Sequence, residues 1–332
     1  MIPRKNTSEH TLRWKKEFAD SIFGHQALST ALPQLDIDSN ELARIDNLFP
    51  IQIPSKLLTQ NMDTVNNSLL RQYLPDSKEL IDTNDSLEDP VGDLAATKLD
   101  GVIKKYAHRV LIVTSNICPV HCRYCFRKNY PYAKENPNTH RFQNALDYCR
   151  DDSSINEVIL SGGDPLSLED DLIEYLLSEI SKISHVKTIR LHTKFPSIIP
   201  NRITPKFLAI LEKLELNKVC VFHINHPDEI SEEFCEAAQK IRNTNTVTLN
   251  QSVLLKGINN DAGMLAELSY KLFGAGILPY YLHELDHAKG TSHFKVSVEE
   301  TAQIFQDLKN LLPGYLVPKL AREIAGQTSK MY

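Results

Sequence analysis

From residue 109 onward, short runs of apolar and β-branched residues alternate with longer stretches in which apolar positions recur every three to four residues. The runs Arg109–Ser115, Glu157–Leu160, Thr188–His192, Lys218–Ile224, Thr246–Leu254 and Pro279–Leu285 have the length and composition of buried strands. The stretches Phe142–Cys149, Leu172–Ile183, Pro205–Leu214, Ser231–Ile241, Ala262–Phe273 and Val298–Leu312 carry helical spacing. Thr204-Pro205 and Ser231-Glu232-Glu233 are helix starts with proline or acids in the first turn. Parallel neighbours need crossover helices, so six strand–helix units in series predict an α/β protein with a parallel sheet. An open, partial (β/α)6 barrel would gather the loops after each strand on one rim, where chemistry collects; a doubly wound sheet is the structural alternative.

The first hundred residues read differently. Trp14, Phe18 and Ile22 recur at helical spacing, and Asn40–Phe49 and Ser55–Met62 make further short helical patterns. Leu74-Pro75-Asp76-Ser77 and the stretch from Thr83 to Pro90 are polar and turn-rich, hence connectors. The expected organisation is a helical region at 1–100, the barrel at 101–312 and a C-terminal segment at 313–332.

Composition narrows the class. A chain of 332 residues, 42% hydrophobic and 24% charged, can bury a large core. A net charge of −5 with a pI near 6.2 leaves no electrostatic footprint for nucleic acid and favours a small-molecule substrate. No apolar signal core opens the chain and no apolar run reaches membrane-spanning length, so a cytoplasmic protein without membrane contact is expected. Six cysteines in this length do not make a disulfide framework, and Cys149, Cys220 and Cys235 read as reduced thiols.

The other three cysteines stand together in Cys118-Pro119-Val120-His121-Cys122-Arg123-Tyr124-Cys125, directly after the first strand. Three thiolates on one loop can converge on a single inorganic centre. A [4Fe–4S] cluster normally takes four, so three would leave one iron open to a small molecule. Structural zinc completed by His121 or His108, or simple core thiols, would use the same residues. Strand two runs into Ser161-Gly162-Gly163-Asp164-Pro165, where paired glycines permit close backbone approach and Asp164 can accept from an ammonium; an ordinary tight turn has the same composition.

The cysteine spacing, with Tyr124 before the last cysteine and Gly162-Gly163-Asp164 after the second strand, resembles the radical S-adenosylmethionine (SAM) enzymes. In that family the open iron chelates SAM, the aromatic residue packs near its adenine, and the Gly-Gly-acid element holds its amino group. Lys105-Tyr106-Ala107-His108-Arg109, Cys125-Phe126-Arg127, the segments 200–205, 222–229 and 250–255, and Pro279-Tyr280-Tyr281-Leu282-His283 resemble the lysine 2,3-aminomutase branch, across nearly the whole chain from Trp14. The ending, residues 317–330, resembles the short form associated with elongation factor P.

That resemblance implies a radical SAM partial barrel that turns L-lysine into β-lysine with a [4Fe–4S] cluster on Cys118, Cys122 and Cys125, SAM and pyridoxal phosphate (PLP). PLP would sit on Lys330, with Lys319 as runner-up, and a tail lysine can serve only if the tail folds back over the barrel mouth. Arg109 matches a phosphate-binding position; Lys105 stands where relatives carry a second arginine, and Arg202 is a further candidate. Arg127 matches the residue that pairs with the substrate carboxylate, and Asp286 and Glu323 the acids that hold its distal ammonium. His223, Gln251 and Ser252 are expected to touch SAM. Implied partners are an electron donor such as flavodoxin or ferredoxin and the enzyme that ligates β-lysine to elongation factor P. The chain stops short of the extension carried by free-standing lysine aminomutases, so an assembly built on that arm is not expected. Alternatives are a PLP radical mutase acting on glutamate or arginine, and a zinc-bearing binding module without catalysis.

Overall fold

Thr97–Leu99 (β3), Val102–Tyr106 (β4), Arg109–Ser115 (β5), Glu157–Gly162 (β6), Thr188–Thr193 (β7), Asn217–Phe222 (β8), Thr246–Val253 (β9), Leu278–His283 (β10) and Lys319–Ala321 (β11) form one sheet ordered β11-β10-β9-β8-β7-β6-β5-β4-β3. These positions come from a computed structural model that describes residues 9–59, 67–81, 83–132, 139–327 and 329–331. From β5 to β11 every neighbouring pair is parallel, while β3 and β4 add an antiparallel edge. The strands follow one another in chain order without reversal. A doubly wound sheet needs a switch point, so this winding is that of an open barrel. The six predicted strands are β5 to β10, displaced at their ends by a residue or two.

Each crossover carries a helix: Thr139–Asp151 (α6), Asp170–Ser181 (α7), Pro205–Lys213 (α9), Glu232–Arg242 (α10) and Ala262–Gly274 (α11), with Val298–Leu311 (α12) after β10. Thr204 and Ser231 cap α9 and α10 as their sequence requires, accepting from Phe207 N and Phe234 N. Phe142, Leu146, Leu176, Phe207 and Phe234 pack these helices onto the sheet in one continuous core, each fully buried side chain contributing about 1.5–3 kcal/mol.

The N-terminal region holds Glu9–Ala19 (α1), Gly24–Ala31 (α2), Ser39–Leu48 (α3), Ser55–Thr59 (α4) and Ser68–Arg71 (α5), with Ser21–Phe23 (β1) paired antiparallel to Gln52–Pro54 (β2). Trp14 and Phe18 lie on α1 and pack on Phe195, a residue of the short helix Phe195–Ile198 (α8), at 5.7 and 6.1 Å between ring centres. Ile22 departs from the helical expectation: α1 ends at Ala19 and Ile22 lies in β1, where pairing with Ile53 outweighs the local spacing. Met62 falls outside the described residues.

This region grips the cysteine loop. Arg123, wholly buried, donates from Nε and Nη2 to both oxygens of Glu79 at 2.9 and 2.7 Å and from Nη1 to Phe49 O, while Lys128 reaches the same carboxylate at 3.2 Å. Gln52 donates to Cys118 O at 2.7 Å, and Arg123 N donates to Gln72 O at 2.8 Å. A buried bidentate pair holds only while both partners remain, so the loop conformation depends on a carboxylate forty-four residues away.

Candidate active site

Two adjoining cavities of about 140 and 190 Å³ share Arg127, Ser161, His192, His223, Gln251 and Asp286; the larger runs back along the strands to Arg109 at the start of β5. A separate crevice of about 280 Å³ between the N-terminal region and the barrel, lined by Arg71, Lys256 and His293, contains none of the predicted site residues.

Cys118, Cys122 and Cys125 face the smaller cavity together with Tyr124, Gly162, Gly163 and Asp164. Burial pushes all three thiols up, Cys122 to about 11, so they ionise only beside a strong positive centre. Neither histidine of the zinc alternative joins them. His121 Nδ1 lies 2.8 Å from Pro50 O with its ring stacked on Phe49, and His108, at the opposite end of β5, bonds Ser154 O. Among the described residues no set of His, Cys, Asp or Glu closes on a single ion. Three thiols spread around a cavity suit a multi-iron cluster with one corner open.

The glycine pair also permits a close approach within the chain. A Cβ on Gly163 would lie 2.6 Å from Ile117 O, and one on Gly162 (φ 115°) 2.6 Å from Val113 Cγ1. The close approach is therefore between the end of β6 and the backbone entering the cysteine loop, sealed where Gly163 N and Asp164 N donate to Ser115 O and Ile117 O at 2.7 Å. Asp164 lines the same cavity. Its carboxylate accepts from Leu166 N, Thr193 Oγ1, Lys194 N and Phe195 N at 2.6–3.0 Å, which fills both oxygens and ties this turn to the end of β7.

The larger cavity contains an alternating chain of charge. Arg127 Nε donates to Asp93 Oδ2 at 2.6 Å, Lys105 Nζ lies 2.6 Å from Asp93 Oδ1 and 3.5 Å from Glu323, and Lys330 Nζ lies 2.7 Å from the other Glu323 oxygen. Tyr106 donates to Glu323 at 2.8 Å. Lys105 also donates to Val91 O at 2.7 Å, so on the cavity wall beside Arg109 it bridges two acids. Arg109 stacks on the Tyr106 ring at 4.1 Å on the wall of this cavity.

Lys330 reaches the site because the tail does fold back. Arg322 N donates to Met331 O and Met331 N to Arg322 O at 2.9 and 3.0 Å, a two-bond clasp that sets the ammonium 5.4 Å from the Tyr281 ring centre. Lys319 is exposed on the edge strand β11, outside the cavity.

Two candidates lie elsewhere. Arg202 is wholly buried away from both cavities, ion-paired to Asp170 at 2.8 Å, donating to Leu166 O and Leu168 O, and lying over the Trp14 and Phe207 rings. Ser252 faces away because strand alternation sends Gln251 and Val253 to the cavity; its hydroxyl is spent on Ile224 O at 2.7 Å. Gln251 Nε2 stands 3.2 Å from His223 Nε2, which is 3.4 Å from His192 Nδ1. Burial holds His223 and His283 near pKa 3, so both stay neutral. Sequence reasoning missed Asp93, hidden in a turn-rich connector, and His192, whose place at a strand end was a usable signal.

Asp286 lines both cavities and no hydrogen bond reaches its carboxylate among the described residues. Burial pushes it up to about 7, with Lys330 pulling the other way. A carboxyl so placed takes up its charge when a cation comes beside it.

An open barrel with three cysteines on the loop after β5 fits the class of radical SAM enzymes, and residues 112–268 match the radical SAM superfamily. The chain is 40% identical to the L-lysine 2,3-aminomutase of Haemophilus influenzae over 99% of its own length and 98% of that protein's. It is 39% identical to the L-lysine 2,3-aminomutase of Escherichia coli, covering 96% and 93%. It is 35% identical to the glutamate 2,3-aminomutase of Clostridioides difficile, covering 74% and 58%. The chain belongs to the lysine 2,3-aminomutase family. It is an isomerase whose cofactors are a [4Fe–4S] cluster, SAM and PLP.

Proposed function

We propose that the protein moves the α-amino group of L-lysine to C3, giving β-lysine. One observation carries the choice of lysine: the cavity offers a guanidinium, Arg127, beside the cysteine site and two carboxyls, Asp286 and Glu323, around the tail ammonium. A substrate with a carboxylate and a second, distal ammonium complements that layout. Glutamate would bring a carboxylate against acids already desolvated, and that mismatch selects strongly.

In this reading Cys118, Cys122 and Cys125 hold the cluster, and Tyr124 with the end of β6 borders SAM. Lys330 carries PLP and Arg109 binds its phosphate. When bound, the cofactors would supply the radical and the electron sink that the migration needs. The chain's own part is to bind and orient lysine, keep His192, His223 and His283 uncharged along the wall, and exclude water. The product would serve modification of elongation factor P in the cytoplasm, with a flavodoxin or ferredoxin as reductant and the β-lysine ligase downstream. Support for that part is the resemblance of residues 317–330.

The test incubates anaerobically reconstituted protein with reductant, SAM, PLP and lysine, glutamate or arginine in turn. The expected outcome is a β-isomer from lysine alone; a product from glutamate or arginine instead overturns the assignment. A second expectation concerns pH. Substrate ammonium needs Asp286 ionised, so kcat/KM for lysine should rise as pH passes upward through about 7. Asp286→Asn should flatten that rise and lower kcat/KM by roughly 30-fold or more at pH 8. An unchanged pH profile in the variant would remove Asp286 from substrate binding.

A further inference from the structure

We propose that Asp93 is a positioning residue that, through Lys105, sets the distance between Arg127 and Glu323, so that the cavity measures the length of an α,ω-diamino acid. This rests on reading Arg127 and Glu323 as the groups that take the two ends of the substrate.

Asp93 is the hinge of the chain of charge. Its side chain is 2% exposed and has a cation on each oxygen at 2.6 Å, Arg127 on one and Lys105 on the other. Burial would raise its pKa, yet the two cations outweigh burial and hold it below the usual carboxylate range, so it stays ionised. Its place is determined locally. Asp89 accepts from Asp93 N at 2.8 Å and from Leu94 N at 2.9 Å, and Thr97 Oγ1 donates to Asp93 O at 2.9 Å, which locks the turn entering β3.

Each end of the chain is anchored as firmly. With Nε bound to Asp93 and Nη1 only 3.4 Å from Ser161 Oγ, the Arg127 guanidinium has a fixed plane and leaves its outer edge for a carboxylate. Lys105 sits on β4, whose position is set by pairing with β5; its ammonium is ion-paired to Asp93 and donates to Val91 O and Glu323. Glu323 is steadied further by Tyr106. The two recognition groups are thus joined by contacts of 2.6, 2.6 and 3.5 Å that pass through Lys105 on β4. On this proposal a diamino acid one methylene shorter loses its fit at one end while the series stays intact.

The test uses the holoenzyme with its cluster oxidised, so that nothing turns over, and titrates lysine and ornithine by the visible absorption of the PLP-loaded protein. Wild type should prefer lysine by roughly 10- to 200-fold, the usual cost of one methylene. Asp93→Asn should raise the lysine dissociation constant roughly 30-fold and bring the lysine-to-ornithine ratio close to one. In reduced enzyme the loss should appear in KM more than in kcat. Asp93→Asn and Glu323→Gln should combine less than additively while Lys105 is present and additively in a Lys105→Met background. If Asp93→Asn fails to take up its cofactors, Lys105→Met alone, which leaves the Arg127–Asp93 pair intact, should flatten the ratio. A ratio unchanged in either variant, or additivity with Lys105 present, overturns the ruler while leaving lysine as substrate. Wild type with no preference for lysine over other amino acids overturns both.

Discussion

Cys122→Ala protein, reconstituted anaerobically with iron and sulfide, should lack the broad iron–sulfur absorbance of wild type, and its aminomutase activity should fall below detection. Cys118→Ala and Cys125→Ala should do the same. The three thiols line one cavity, and each is pushed up by burial, so none is a thiolate near neutrality without metal. A cluster that already leaves one corner open cannot lose another ligand and stay bound. The fold should survive, because the loop is held by contacts that do not involve sulfur: Arg123 on Glu79, Gln52 on Cys118 O and Arg123 N on Gln72 O. A loss of about 1 kcal/mol, lowering Tm by roughly 2–4 °C, is the expected structural cost. Thermal melting of the apo-protein separates the two effects. Full iron content in any of the three variants, or stoichiometric zinc in wild type, would sink the assignment.

Lys330→Ala should abolish covalent attachment of PLP and lower kcat by at least about 10³-fold, the scale on which loss of a covalent catalytic group is felt. Borohydride reduction followed by peptide mass spectrometry should place pyridoxyl on Lys330 in wild type and nowhere in the variant, while Lys319→Ala keeps the label. The clasp between Arg322 and Met331 is made by backbone and survives the substitution. Glu323 keeps Tyr106 and Lys105, so the site loses an ammonium and little else. Label appearing on Lys319, or persisting in Lys330→Ala, would move the anchor.

Much of the barrel was legible because long elements bury one face and repeat. Short apolar runs marked β5 to β10 and helical spacing marked the helices between them, and the parallel pairing followed from the need for crossovers, while the strand order came from the structure. The short strands were not. Three residues in β1, β2, β3 or β11 carry no period, and their pairing comes from neighbours far along the chain. Arg202 shows the same limit for side chains: an arginine has one composition whether it meets a ligand or, as here, closes over Asp170 and Trp14 in the core.

By itself the sequence determined the class of chemistry, since three cysteines at fixed spacing after the first strand and an acid after Gly162-Gly163 depend only on local order. The tertiary structure decided which charges meet. Lys330 lies 225 positions after Lys105, and it joins Glu323, Lys105, Asp93 and Arg127 only because the tail clasp, β4 and a connector turn converge on one cavity. Coulomb attraction acts through space and burial strengthens it, so a network of this kind leaves no spacing in the chain by which to find it.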